Sequence, residues 1–376
     1  KVGLVIPPSP FLLDERVFVS LGILRVAASL EAQGVKVGVV DLSGVDNYLS
    51  ALEGYLNSAD IEWIGVTCTT PQLPAAVKLA KVIRELRPNL RIVLGGPHVT
   101  LTYSAVKVEE KNNVVNGRAR KAANLLETYF DVLVSGDGEL AVFECFKDDC
   151  PKMVDGDDMR GEFFMSNEQY EATEWPARHL VDLTTYHYSI EGYPATSLIA
   201  QLGCPFNCGF CGGRNSRSLR VIRTRSEWSI VEEIRWLYET YGYTGFMFYD
   251  DELNVSKTFV KLMNDLCDLQ KELGVEFRLR GFIKAELFNE EQAEAMYRAG
   301  FRWILSGFEA AHPQILKNID KMATLEDNTR VVEIAHKYGL KVKALMSVGH
   351  PGESEESIMC IRDWLIKMKV DDFDCT

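Results

Sequence analysis

Several features that would assign a sequence quickly are missing from this one. No apolar run approaches the roughly 18–20 residues that a membrane-spanning helix needs, and no secretory leader opens the chain. Basic charge is scarce: 41 Lys and Arg stand against 54 Asp and Glu, a formal net charge of −13. Generic nucleic-acid binding leaves a basic footprint, so that partner is not expected. The nine cysteines are an odd count, and six of them (Cys68, Cys145, Cys150, Cys267, Cys360 and Cys375) are scattered without framework spacing. A disulfide-stapled secreted domain is therefore not expected, and a reducing, cytoplasmic setting is. These six read as small buried residues. The chain begins with Lys1 rather than Met, which reads as a trimmed start.

What is present is ordinary globular material arranged in two series. Hydrophobic residues make up 47% of the 376 and charged ones 25%, enough for one to three domains. Over residues 1–150, β-branched runs alternate with stretches of helical period. The runs are 1–8, 35–42, 61–70, 91–98 and 130–140; the helical stretches include 21–34, which stops at Gly34, and 73–87. Uniformly apolar strands between amphipathic helices predict a doubly wound parallel sheet, covered on both faces. Its ligands belong at the carboxyl ends of the strands, near the switch point. The loops there, "PPSP" (7–10), "TCTTPQ" (67–72), "GGPHVT" (95–100) and "GDGE" (136–139), are small, polar and glycine-rich, so that backbone can approach a ligand.

Residues 101–129 read as a partly helical excursion, and 151–192 as a linker. From Ala195 the alternation restarts, with strands predicted over 195–203, 245–253, 276–283, 301–309 and 341–349. Helices are predicted over 226–241, 256–273, 289–299 and 326–339. This spacing suits βα units wrapping as a barrel over 193–376. The last residues, "DDFDCT" (371–376), read as the opening of a sixth strand, so a barrel cut short at that strand is expected.

The remaining three cysteines crowd into "GCPFNCGFCGG" (203–213) as Cys204, Cys208 and Cys211. They follow the first barrel strand, on the kind of strand-to-helix loop that carries catalytic groups in βα barrels. Three thiolates can hold three irons of a cubane cluster and leave the fourth open. Zinc would need a fourth ligand; His187 and His98 are the candidates, and neither has ligand-like spacing.

"CPFNCGFC" resembles the C-x3-C-x2-C signature of the radical S-adenosylmethionine (SAM) superfamily. Further segments resemble that superfamily in order: "VIRTRSEWSIVEEIRWL" (221–237), "FMFYDDELNV" (246–255), "GFRWILSGFEAAHPQILKNIDKMATLED" (300–327) and "MSVGHPGESEES" (346–357). "GGPHVT" and "GDGE" resemble the cobalamin-binding domain that precedes the barrel in one subclass. The resemblance covers almost the whole chain. It implies an amino-terminal Rossmann-like cobalamin domain (1–150), a linker (151–192) and a partial (βα)6 radical SAM barrel.

The resemblance also implies cofactor contacts. Cys204, Cys208 and Cys211 would ligate a 4Fe–4S cluster whose open iron chelates SAM, with Phe210 beside it. Asp250, Asp251 or Glu252 would take the SAM ammonium, Arg280 its carboxylate, and Ser306 and Glu309 its ribose or carboxylate. Gly349 and Pro351 would line the adenine; His350 stands where an apolar residue is usual. Cobalamin would meet Thr67, Thr69, Thr70, Gly95, Gly96, Pro97, His98, Gly136, Gly138 and Glu139. No Asp-x-His-x-x-Gly segment is present, so a lower face without that histidine, or a domain without cofactor, is implied. The five arginines of "RNSRSLRVIRTR" (214–225) read as a solvated face, or as contacts to an acidic substrate or the corrin edge.

The function implied is a cobalamin-dependent radical SAM enzyme. Its expected chemistry is methyl transfer to an unactivated carbon or phosphorus of a small-molecule or natural-product substrate, with a flavodoxin or ferredoxin as electron donor. A radical cyclase, rearranging or oxidising enzyme with the same cofactors is the alternative, and a cobalamin or iron–sulfur sensor is the non-enzymatic one. A methylthiotransferase would carry three further cluster cysteines; Cys68, Cys145 and Cys150 are wrongly spaced for that.

Overall fold

The computed structural model describes all 376 residues, which form two compact units. The first is Lys1–His187 with Asn215–Arg220; the second is Tyr188–Arg214 with Val221–Thr376. No helix is long and apolar enough to cross a membrane.

The first unit is built on six parallel strands: β1 (Val2–Ile6), β2 (Val37–Asp41), β3 (Trp63–Thr67), β4 (Arg91–Gly95), β5 (Val132–Gly136) and β6 (Met153–Gly156). Their order is β2-β1-β3-β4-β5-β6, parallel throughout. The order of strand addition reverses at β1, with β2 added on one side and β3 on the other, so the loops after β1 and β3 flank the switch point. β1, with the sequence VGLVI, is buried at every position, as a central parallel strand covered on both faces must be. Residues 101–129 prove to be two helices, Pro97–Lys111 and Arg118–Tyr129, the first starting inside the predicted loop. The predicted linker is also structured: β6 adds an edge strand at 153–156, with helix Asn167–Ala172 after it.

The second unit holds a short β7 (Ser189–Ile190) antiparallel to β8 (Tyr193–Leu198), and a two-stranded clasp of β9 (Gln201–Leu202) with β10 (Arg223–Thr224). Five more strands follow β8 in parallel and in sequence order: β11 (Gly245–Phe248), β12 (Arg278–Phe282), β13 (Phe301–Glu309), β14 (Lys341–Met346) and β15 (Asp372–Cys375). Six parallel strands in sequence order are the partial (βα)6 arrangement expected, and β15 is the expected sixth. Helices Glu227–Tyr241, Phe259–Leu273, Glu290–Arg298, Leu325–Lys337 and Glu355–Met368 connect the parallel strands. Their ends follow local chemistry. Ser226 and Thr324 accept the Ser229 and Asp327 amides at the starts, while Gly242 and Gly274 stop their helices at φ 73° and 64°. The core between helices and strands is aromatic: Phe246 meets Phe277 edge-on at 5.2 Å and Phe248 stacks on Phe301 at 5.6 Å.

The arginine-rich segment is solvated only in part: Arg217 is exposed, but the segment's far end is not. Arg223 and Arg225 are buried, and Arg225 donates to Glu233 Oε2 (2.5 Å), Ile199 O (3.1 Å) and Ser229 Oγ (3.0 Å). A buried guanidinium is tolerated only because each donor direction finds an acceptor. Glu233→Ala leaves Arg225 without its hydrogen-bonded carboxylate and is expected to destabilise the second unit by about 3 kcal/mol. The check is urea unfolding followed by tryptophan fluorescence; an unchanged midpoint would contradict it.

Candidate functional site

The cysteine loop is fixed at its base by backbone geometry. β9 and β10 pair across it, and Gly203 sits at φ 88° with the Val221 carbonyl 2.2 Å from where a Cβ would be. Only glycine fits there. Further along, Gly209 N donates to Ile319 O (2.6 Å) and Cys211 N to Cys208 O (3.1 Å). Cys208 is buried and Cys211 exposed. Burial pushes the Cys204 thiol up to about 11 and raises that of Cys208, while the Lys321 and Lys284 charges oppose the Cys208 shift. The three thiols share one loop, but the structure does not gather them, or any other His, Cys, Asp and Glu side chains, into a metal-holding group of three. His98 Nδ1 instead faces Thr70 Oγ1 (3.0 Å), and His187 Nε2 pairs with Asp14 (2.6 Å).

The three acids after β11 divide by direction. Asp250 turns inward and accepts the Ala200 amide (3.1 Å) and the Gln201 amide (2.6 Å); burial raises its carboxyl to about 7. It fastens β8 to β11 rather than facing a ligand, against the sequence expectation. Glu252 is half-buried, tied through its carbonyl to Gln201 Nε2 (2.6 Å). Desolvation lifts its carboxyl to about 7, opposed by Lys321 and Lys284. Asp251 is exposed by surface area, yet its carboxyl is raised by local desolvation.

Opposite them stands a residue the sequence reading passed over. Lys284, at the end of the β12 run, has a side chain only 1% exposed. The Asn254 side chain clamps its backbone: Lys284 N donates to Asn254 Oδ1 (2.7 Å) and Asn254 Nδ2 to Lys284 O (3.2 Å). Lys284 Nζ lies 3.2 Å from Glu286 Oε1 and 4.4 Å from the Phe206 ring centroid. Even so, Nζ and both Glu286 oxygens are buried without a hydrogen bond. Such atoms are costly unless a ligand completes them. Arg280, predicted for this role, lies lower on β12 with its guanidinium 5.6 Å from the Trp303 ring. Ser306 is also diverted: its buried hydroxyl donates to Ile283 O (3.1 Å).

At the end of β13, Glu309 takes φ 64°, where β13 and β14 lose register. A non-glycine residue there is strained, which points to a use for its side chain. Lys321 Nζ donates to Oε1 (3.4 Å) and Ser347 Oγ to Oε2 (2.7 Å). Ser347 has one proton and spends it on Glu309, which leaves His350 Nε2 to donate to Ser347 Oγ (2.8 Å). The His350 ring lies 5.6 Å from that of Phe210, whose centroid is 6.0 Å from Lys321 Nζ. Gly349 N and His350 N both donate to Glu353 Oε2, and Pro351 O accepts from Asn318. The loop over 349–353 is thus shaped by its own side chains.

In the first unit, the loops after β1, β3, β4 and β5 are stitched together. Gln72 Nε2 donates to Pro7 O (2.7 Å), Cys68 N to Gly95 O (3.0 Å), His98 N to Cys68 O (2.9 Å) and Gly136 N to Thr100 Oγ1 (2.9 Å). A Cβ on Gly96, at φ 96°, would strike Cys68 N at 2.8 Å and Thr67 Oγ1 at 2.9 Å. Thr69 caps the turn Thr70–Gln72. Thr67, Thr69, Thr70, Gly95, Gly96, Pro97, His98, Gly136 and Gly138 all lie on or beside these loops. Glu139 does not serve there: its buried carboxylate pairs with Arg25 Nε (3.0 Å).

Two family models match the chain. Residues 198–365 match the radical SAM superfamily, and residues 15–127 the B12 binding domain. An uncharacterized methyltransferase of Pyrococcus horikoshii is 27% identical, over 99% of this chain and 79% of its own length. An anaerobic magnesium-protoporphyrin IX monomethyl ester cyclase of Rubrivivax gelatinosus is 26% identical over 80% of this chain, which spans about half of it (54%). Among solved structures, the radical SAM methyltransferase TsrM of Kitasatospora setae, with tryptophan substrate and a SAM analogue bound, covers the whole chain. Its TM-score is 0.78 at 20% identity, over 72% of that structure. At that identity the likeness establishes the fold.

Glu252 gives a signed pH prediction for the metal-free chain. Its folded value, about 7, lies above an ordinary carboxyl's. Its stabilising share is therefore complete below about pH 4 and lost as pH rises through about 7. Glu252→Gln should match the parent near pH 5 and exceed it in urea midpoint at pH 8. Parallel pH profiles would contradict this.

Proposed function

Because the chain belongs to the radical SAM superfamily and carries a B12-binding domain ahead of its radical SAM domain, we propose that it is a cobalamin-dependent radical SAM methyltransferase acting on an unactivated carbon or phosphorus of a small molecule. The observation that carries the site is the buried Lys284 ammonium and Glu286 carboxylate, both lacking hydrogen bonds, on the same unit as a three-cysteine loop. SAM presents an ammonium and a carboxylate, which Glu252 and the Lys284 of this ion pair (3.2 Å from Glu286) would suit.

Cys204, Cys208 and Cys211 would hold three irons of a 4Fe–4S cluster, a soft donor set suited to iron–sulfur ligation. The cluster with SAM, and cobalamin, supply one-electron carbon–sulfur cleavage and a methyl carrier when bound. Glu252 would accept from the SAM ammonium and Lys284 would donate to its carboxylate. Lys321 and Ser347 hold Glu309 in its strained position, from which it would accept from ribose hydroxyls. Phe210, Gly349 and Pro351 would flank the adenine, with His350 donating to Ser347 rather than filling an apolar wall. In the first unit, Thr67, Thr69, Thr70, Gly95, Gly96, Pro97, His98, Gly136 and Gly138 would contact the corrin. Thr70 already occupies His98 Nδ1. Asp250, Ser306 and Glu139 leave the cofactor assignment, since each is hydrogen-bonded to other groups, while Arg280, whose Nε is buried without a hydrogen bond, would remain a second cation for the SAM carboxylate.

An electron donor of the flavodoxin or ferredoxin class would reduce the cluster. All nine cysteines are free thiols, which supports a reducing compartment such as the cytoplasm. Radical cyclisation with the same cofactors is the second reading, supported by the likeness to the Rubrivivax cyclase over 80% of this chain.

Cys208→Ala is expected to abolish the broad iron–sulfur absorbance and all SAM cleavage in the reconstituted protein; retained cleavage would contradict the cluster assignment. Lys284→Met should keep its iron while SAM affinity, measured by equilibrium dialysis, falls by about 30-fold or more, the loss expected for one partner of a buried charge contact. Unchanged affinity would remove Lys284 from the site.

A further inference from the structure

The chain leaves the second unit after Arg214, contributes Asn215–Arg220 to the first unit, and returns at Val221. This hexapeptide begins four residues after Cys211, the last cysteine of the loop. Within the first unit one side chain takes hold of it. Asp157 follows β6 directly and is 2% exposed; Ser216 and Ser218 are 0% and 2% exposed. A single carboxylate oxygen, Oδ1, accepts from Ser216 Oγ (2.6 Å), Ser218 N (2.7 Å) and Ser218 Oγ (2.8 Å). Ser216 Oγ in turn accepts from Leu219 N (3.2 Å), which closes a tight turn around the carboxylate.

The carboxylate is held from behind as well. Ser104 Oγ lies 3.1 Å from Oδ2, Asp157 N donates to Asp155 Oδ1 (3.0 Å), and Lys107 Nζ reaches Asp155 (2.7 Å) and Asp157 (3.7 Å). β5 and β6 end backbone against backbone beneath it, with Gly136 at φ 77° and no room for a Cβ against Gly156 (2.3 Å). Buried, charge-assisted bonds of this kind are directional as well as strong. Apolar packing could bury the segment equally well but would not fix its register.

We propose that Asp157 is a positioning residue for the cysteine loop: by gripping Ser216 and Ser218 it sets where Cys211 is held. The proposal rests on the cluster reading above. Along the chain, Cys211 follows the Gly209 N to Ile319 O bond (2.6 Å) and precedes the segment that Asp157 grips. Cys211 itself is exposed, and only the short turn Gly212–Asn215 separates it from Ser216. Releasing the grip therefore loosens the Cys211 side of the loop, while Cys204 stays fixed by the β9–β10 clasp.

The experiment uses the full chain, reconstituted anaerobically with iron and sulfide, in four forms: parent, Asp157→Ala, the double variant Ser216→Ala/Ser218→Ala, and Ser104→Ala. The last removes a group near Oδ2 and leaves the grip on the segment untouched. Two readouts are taken: the rate of iron loss to a chelator with the electron paramagnetic resonance spectrum of the reduced cluster, and trypsin cleavage after the exposed Arg217 in the metal-free chain. Asp157→Ala and the double variant should be cleaved about ten-fold faster or more after Arg217, lose iron faster by a similar factor and show an altered spectrum. Ser104→Ala should match the parent. If Asp157→Ala does not fold, the double variant decides alone. Faster cleavage with an unchanged spectrum and unchanged iron loss would overturn the proposal, as would unchanged cleavage. A parent that takes up no iron would remove the cluster reading and this inference with it, a failure seen in the parent rather than in the variants.

Discussion

The grip of Asp250 on the Ala200 and Gln201 amides is the constraint on which the second unit's site depends. A parallel strand ends with amides that its neighbour no longer satisfies, and β8 ends two residues before Ala200. Asp250 supplies the missing acceptor from the next strand along. With that end fixed, Gln201 can pair in the β9–β10 clasp and hold the Glu252 carbonyl. Gly203 then turns the chain into the cysteine loop. The start of the cysteine loop, at Cys204, is thus set by one buried carboxylate that never needs to meet a ligand.

Around that loop the structure concentrates charge where burial makes charge expensive. Lys284, Glu286, Glu252, Lys321 and Glu309 belong to strand ends or to the loops that follow them, and only some are matched. Lys321 and Glu309 satisfy each other, with Ser347 and His350 extending the chain of hydrogen bonds. Lys284 and Glu286 form an ion pair at 3.2 Å, with no hydrogen bond to Lys284 Nζ or to either Glu286 oxygen. A fold under selection for stability alone would replace such a pair with apolar side chains. Under the proposed function this pair would meet a zwitterionic ligand, and burial also raises the nearby carboxyl of Glu252.

Much of the architecture was legible in the sequence because central strands such as β1, β3 and β11 are buried on both faces and read as apolar, β-branched or aromatic runs. β6 escaped because it is four residues long, alternates in burial and contains Asp155, so nothing in "MVDG" distinguishes it from a turn. The cysteine loop was legible through spacing alone. The charged mouth was not, for two physical reasons. Three adjacent acids, Asp250, Asp251 and Glu252, differ only in direction, and direction depends on the amides of a strand fifty residues away. Arg280 and Lys284 both arise from the β12 run, and burial of Lys284 Nζ just past the strand's end carries no local mark in the sequence. The burial of Arg225 was not legible because Glu233, its partner, lies in the helix that follows and carries no local mark. Asp157 and the serines it holds are separated by some sixty residues, beyond any short motif.

The central claim is that the chain carries two redox-active cofactors, one in each unit. It is tested most directly by anaerobic reconstitution with iron, sulfide and hydroxocobalamin, followed by metal and corrin quantification on the desalted protein. The account predicts about four irons and one cobalt per chain. Zinc in place of iron, or iron without any retained corrin, would contradict it.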